Sequence, residues 1–178
     1  MSGLIRFVGL VNAAVWLGSG VFFTVAVGPA VFSDEMRALL GERNHPYFSG
    51  AIAQILVSRL FRLQILCAGV AVAHLLAEWA SLRRPLRRLE TYWLAGLIAL
   101  VLAGAFWWQP EIRRLHRIKH AINLPVAVRE QAAQQLRWWH GTAQVGNLLL
   151  LAGLVVYLNR MARTTDAPRF VPSFKLRS

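Results

Sequence analysis

The stretch Trp138–Met161, WWHGTAQVGNLLLLAGLVVYLNRM, carries no charge before Arg160. It is long enough to cross a hydrocarbon core about 30 Å thick as one α-helix. A tryptophan pair opens it and Tyr157 lies near its other end, and amphipathic rings favour the two membrane–water interfaces. Inside it His140, Gln144 and Asn147 stand at i, i+4 and i+7, one face of a helix. That face must meet other helices or a ligand, because lipid cannot satisfy polar groups.

Working outward, three more apolar blocks precede this one. Leu4–Phe32 holds a single early cation, Arg6. It is too long for a signal-peptide core and ends without a small-residue cleavage site, so a retained helix is expected over 5–31. Gly20, Thr24 and Gly28 are four apart, a small-residue seam that lets a second helix approach. Pro29 marks a kink or helix end near its far side. The second block, Tyr47–Ala80, is interrupted by Arg59 and Arg62. A crossing at 63–80 puts both arginines at one interface, where they can snorkel. It leaves 47–61 as a helical extension outside or along the membrane. The alternative draws Arg59 and Arg62 into the bundle. The third block gives a crossing at 92–108, bracketed by aromatics, and the opening stretch gives the fourth at 138–159.

The connections are basic. Arg83, Arg84, Arg87 and Arg88 fill the short turn between the second and third blocks. In Glu111–Ile122 the apolar residues Ile112, Leu115, Ile118 and Ile122 keep a helical period, with Arg113, Arg114, Arg117 and Lys119 between them. This predicts an amphipathic helix at a lipid surface or an extension of the third helix. Asn123-Leu124-Pro125 breaks it, and Pro125 suits the opening of one long final helix. The expected architecture is all-α: an integral membrane four-helix bundle over 1–161 with helical extensions on the outer side, followed by a basic tail, 162–178, whose Phe170 and Phe174 are candidate docking residues. The short basic turn weighs most in orientation and places both termini in the cytoplasm, in the cell's inner membrane.

A net charge of +12 in a chain that is 56% hydrophobic fits basic loops touching anionic lipid. No basic face is left free of the membrane segments to bind nucleic acid. Every Asp and Glu lies in a connection or at a helix end, and Cys67 is alone. No catalytic set, phosphate loop, metal-binding carboxylate cluster or intramembrane carboxylate is visible. His116 and His120 have the spacing of a metal-ligating helix, but the surrounding cations oppose a divalent ion. His74 shares a face with Cys67 and is a candidate cofactor ligand, as is His140. At 1.5 Å per residue His74 lies about 16 Å below the outer boundary and His140 about 3 Å, so one haem iron cannot take both. His140, Gln144 and Asn147, with Arg59 and Arg62, can instead line a shallow pocket for an anionic or quinone-like head group, or make interhelical hydrogen bonds.

Trp16-Leu17-Gly18, Pro29-Ala30-Val31-Phe32, and His140-Gly141 followed by Asn147 resemble the bacterial four-helix membrane proteins of unknown function related to the eukaryotic transmembrane protein 205. The resemblance reaches about Met161 and implies a four-helix bundle without an assigned activity. More distantly, the first helix is similar to those of the copper-resistance D proteins and the membrane-type protoporphyrinogen oxidases. The latter bind haem b and carry a histidine in that helix, where this chain has Asn12. Together these readings favour a non-enzymatic accessory or structural subunit, packed in the bilayer against other membrane subunits or copies of itself. A haem- or quinone-binding redox protein and a small transporter are the alternatives.

Overall fold

The computed structural model describes residues 2–82 and 88–163. The basic turn Arg83–Arg87 and the tail after Arg163, with Phe170 and Phe174, lie outside the described residues. Helix α1 comprises Ser2–Phe22, a π-helical turn Phe23–Val27, and Gly28–Val31. A short helix α2, Asp34–Leu40, is capped by the Ser33 hydroxyl, which accepts from the Met36 N–H at 3.3 Å. Helix α3 is His45–Leu82. Helix α4 comprises Arg88–Ala103, a second π-helical turn Gly104–Trp108, and Gln109–Lys119. Helix α5 is Val126–Arg163. Among the described residues there is no strand, and α1, α3, α4 and α5 are each long and apolar enough to cross a membrane.

Each element follows from local chemistry. The apolar runs have no internal solvent to bond, so their backbone groups pair within the helix. The two π-turns each end two residues before a proline, Pro29 and Pro110. Proline lacks an N–H, and its ring collides with the carbonyl four residues back. A turn widened by one residue, with Gly28 N–H bonding Phe23 C=O and Gln109 N–H bonding Gly104 C=O, lets the helix run past it. Between α4 and α5 the predicted break at Asn123-Leu124-Pro125 is present. The amphipathic segment after Trp108 is an extension of α4 and not a separate surface helix.

The bundle is apolar on the outside. Only 22–28% of each apolar window is buried, and Phe7, Phe22, Val25, Leu66, Phe106 and Leu149 are among the exposed large side chains. A water-soluble chain does not present such a surface over its whole girth, so the faces suit lipid. Exposed aromatics gather at two levels, Trp79 and Tyr92 at one end and Trp107 and Trp138 toward the other. These are the positions of interfacial belts.

Inside, the core is small and closely packed. Ala13, Ala68, Ala71 and Cys67 are buried between α1 and α3, and their short side chains let the two backbones approach. Trp16, Val101 and Leu154 fill the centre with no exposed surface or essentially none, and Trp16 meets Tyr157 edge to face. Polar links tie the helices across this core. The Asn12 side-chain amide donates to Cys67 C=O at 2.9 Å, and the Trp93 indole donates to Gly153 C=O at 3.1 Å. Gly9 lies against the His74 ring and Gly50 against the His116 ring, which fixes the two ends of the bundle as a His74 end and a His116 end.

Candidate functional site

Above the packed centre, toward the His116 end, the four long helices part around a cavity of about 560 Å³. On α3 its lining runs from Pro46 to Gln64, about 27 Å at 1.5 Å per residue. The lining is therefore elongated along the helices.

Both π-turns face it. Phe23, Thr24 and Val27 line it from α1, and Gly104 and Trp108 from α4. The widened backbone is thus spent where the helices separate, a common place for such turns. The turn on α4 also swings the Trp108 ring onto Gly146 of α5, where any Cβ would collide. Phe61 packs on Gly104 in the same way.

The sequence-predicted polar face divides cleanly. His140, Gln144 and Asn147 all line the cavity. Asn147 is also an interhelical contact: its amide donates to the Thr24 hydroxyl at 2.9 Å, and that hydroxyl donates to Gly20 C=O at 2.8 Å. His140 and Gln144 are exposed, so the cavity is open on their side. Arg59 and Arg62 are exposed and absent from the lining. Phe61 of the same turn touches Gly104, so both arginines stand beside the belt near Trp107, as snorkelling cations do. Neither arginine is among the residues that line this cavity. The cations that line it are Lys119 and Arg137.

The seam Gly20, Thr24 and Gly28 splits into three roles. A Cβ at Gly20 would lie 2.8 Å from Leu151 Cδ2, so this glycine is a true close approach between α1 and α5. Thr24 supplies the hydrogen bond to Asn147. Gly28 lines the cavity, and a Cβ there would meet only its own helix's Phe23 carbonyl, at 3.4 Å.

His74 belongs to the other end. It is buried with both ring nitrogens unbonded, Nε2 standing 4.0 Å from a Glu78 carboxylate oxygen. It lies on Gly9, whereas Asn147 lies on Thr24; these α1 levels are about 22 Å apart. His140 is two turns further still, so His74 and His140 cannot share a ligand. His116 and His120 do come together, ring centroids 4.8 Å apart, with Tyr47 stacked on His116 and edge-on to His120. Burial, and then Lys119, hold His120 below the usual histidine range. Among the described residues no three His, Cys, Asp or Glu side chains converge as a metal set.

Three glutamines were not legible as site residues. Gln109 donates from its side chain to Gln54 C=O at 3.2 Å, and Gln64 is 1% exposed with its side-chain oxygen unpartnered. All three line the cavity. The available signal was three amides in otherwise apolar runs, where each needs a partner. The His116 Nε2 is likewise buried and unpartnered. Two open hydrogen-bonding atoms thus stand near opposite ends of the lining.

Residues 11–121, more than half of the chain, match the family described as a domain of unknown function, DUF4149, and the chain belongs to that family. No curated protein and no solved structure matches it.

Proposed function

We propose that this member of a family without an assigned activity is a membrane-embedded binding protein, which holds one amphiphile with a polar head and a single apolar chain. The observation that supports it is the cavity: elongated, lined mostly by apolar residues and glycine, and bearing its cations and histidines toward the His116 end. Such sites typically combine a mostly apolar wall with a few placed polar groups. The belt near Trp107 and Trp138 falls partway along it. A head group would therefore sit at or beyond the interface and the chain below it. The exposed His140 and Gln144 give a side entrance from the bilayer.

The competing readings fit less well. The accessory-subunit reading rested on small-residue faces and the tail. Gly9 and Gly20, however, are used within the chain, against His74 and Leu151, and the tail lies outside the described residues. A haem reading built on the two sequence-predicted ligands lacks a pair, because His74 and His140 lie at different levels of the bundle. A quinone head remains one form of the proposed amphiphile, with Gln144 and His140 as its donors. A transporter needs a path past Gln64, where Trp16, Val101 and Leu154 are fully packed.

The test is extraction. Protein purified in a mild non-ionic detergent is scanned for absorbance and then extracted with organic solvent for mass spectrometry. One amphiphile enriched over bulk lipid in the wild type, and lost from Gly28→Leu, is the expected result. A Soret band, or no enriched molecule in either sample, would overturn the reading.

A further inference from the structure

The charge around the cavity is one-sided. Lys119 and Arg137 line it together with His116 and His140, and no carboxylate does. Neither cation forms an ion pair among the described residues. Glu111, the acidic residue nearest on α4, is occupied by both nitrogens of an Arg114 fork. Lys119 is three residues from His116 on α4, and Arg137 is three residues from His140 on α5, so each cation shares a helix face with a lining histidine. Both cations keep exposed surface while lining the recess, and no carboxylate lines it with them to supply a counter-charge. His116 Nε2, on a side chain more than nine-tenths buried, is also left without a partner.

Resting on the reading of the cavity as an amphiphile site, we infer that the head group it takes is a phosphate monoester, held between Lys119 and Arg137. At neutral pH such a group carries a charge of about −1.5 to −2, which matches two cations. A carboxylate would leave one of them uncompensated, and a neutral head both. The planar guanidinium of Arg137 takes two oxygens side by side, and the Lys119 ammonium takes a third as a point charge. An imidazole N–H at the rim, from His140, completes the shell. The ester chain then runs down past Gln54 and Gln109 toward Gln64. The same chemistry is offered by a single-chain phospholipid and by free phosphate, and the experiment separates them.

Protein in maltoside detergent is titrated with dodecyl phosphate, dodecanol and inorganic phosphate, and binding is followed by native mass spectrometry. The wild type is expected to prefer dodecyl phosphate over dodecanol by about tenfold or more, the scale of charge-assisted hydrogen bonds. Lys119→Gln/Arg137→Gln is expected to erase that preference while still binding dodecanol. Arg59→Gln/Arg62→Gln, which removes two exposed cations away from the lining, is expected to keep it. Equal binding of phosphate ester and alcohol by the wild type overturns the anion inference and leaves the amphiphile reading standing. Loss of the preference in the Arg59/Arg62 variant also overturns it, by tracing the effect to general charge. No binding of either chain overturns both readings. Inorganic phosphate competing as well as the ester removes the lipid as the source.

Discussion

The seam on α1 offers a sharp comparison, because two of its glycines have opposite surroundings. Leucine at Gly20 places a Cβ 2.8 Å from Leu151 Cδ2, with three further carbons to seat between α1 and α5. Overpacking of this kind costs about 1–3 kcal/mol, and the Asn147–Thr24 hydrogen bond one turn away is strained with it. At Gly28 an added Cβ meets only the Phe23 carbonyl, at 3.4 Å, on a backbone already helical at φ −57°, ψ −57°. The leucine side chain enters the cavity. Replacing glycine within a helix is worth up to about 1 kcal/mol, so stability is expected to hold or rise. The assay is reversible unfolding in mixed micelles with increasing SDS, followed by tryptophan fluorescence. Gly20→Leu should move the midpoint down and Gly28→Leu should not, while only Gly28→Leu should lose the bound amphiphile at unchanged stability. Equal destabilisation by the two would show that α1 is packed against a neighbour at Gly28, and would remove the cavity from that level.

Three further outcomes are expected. Leu154→Ala, at a position with no exposed surface, should cost about 2–5 kcal/mol in the same unfolding assay; a loss below about 1 kcal/mol would contradict the packed centre. Gln64→Leu removes a buried oxygen without a partner and should be neutral or stabilising by about 1 kcal/mol, so a clear destabilisation would mean that the amide is bonded in the apo protein. For His120, burial and Lys119 lower the folded-state pKa. The unfolded chain then takes up a proton that the folded one resists, so stability is level above about pH 6.5 and declines as the pH falls below it. His120→Gln should flatten that decline, measured as the unfolding midpoint against pH, and an unchanged slope would place the titration elsewhere.

Much of the architecture was legible because lipid imposes a simple rule on sequence. Four long apolar runs, their flanking aromatics and cations, and the proline at 125 predict the helices and their order, and the long final helix runs from Val126 as expected. The site was legible in part. The spacing of His140, Gln144 and Asn147 places them on one face whatever the neighbours do. Their partners were not legible, since spacing along one helix does not say which residue of another stands opposite. Arg59 and Arg62 were drawn to the pocket by depth alone and are exposed side chains outside its lining. Gln54, Gln64 and Gln109 were passed over as isolated amides. The π-turns were invisible as such, although Pro29 and Pro110 are their cause.

By itself, then, the order of residues determined that this chain is a bundle of membrane-length helices with a polar face on the last of them. Those properties depend on hydration and on periodicity within a helix, which are local. Only the tertiary structure decided that the polar face opens on a cavity, that Gly20 packs while Gly28 lines empty space, and that Lys119 and Arg137 supply the charge. Those properties depend on how far apart four backbones stand, and that distance is set jointly by side chains on every helix.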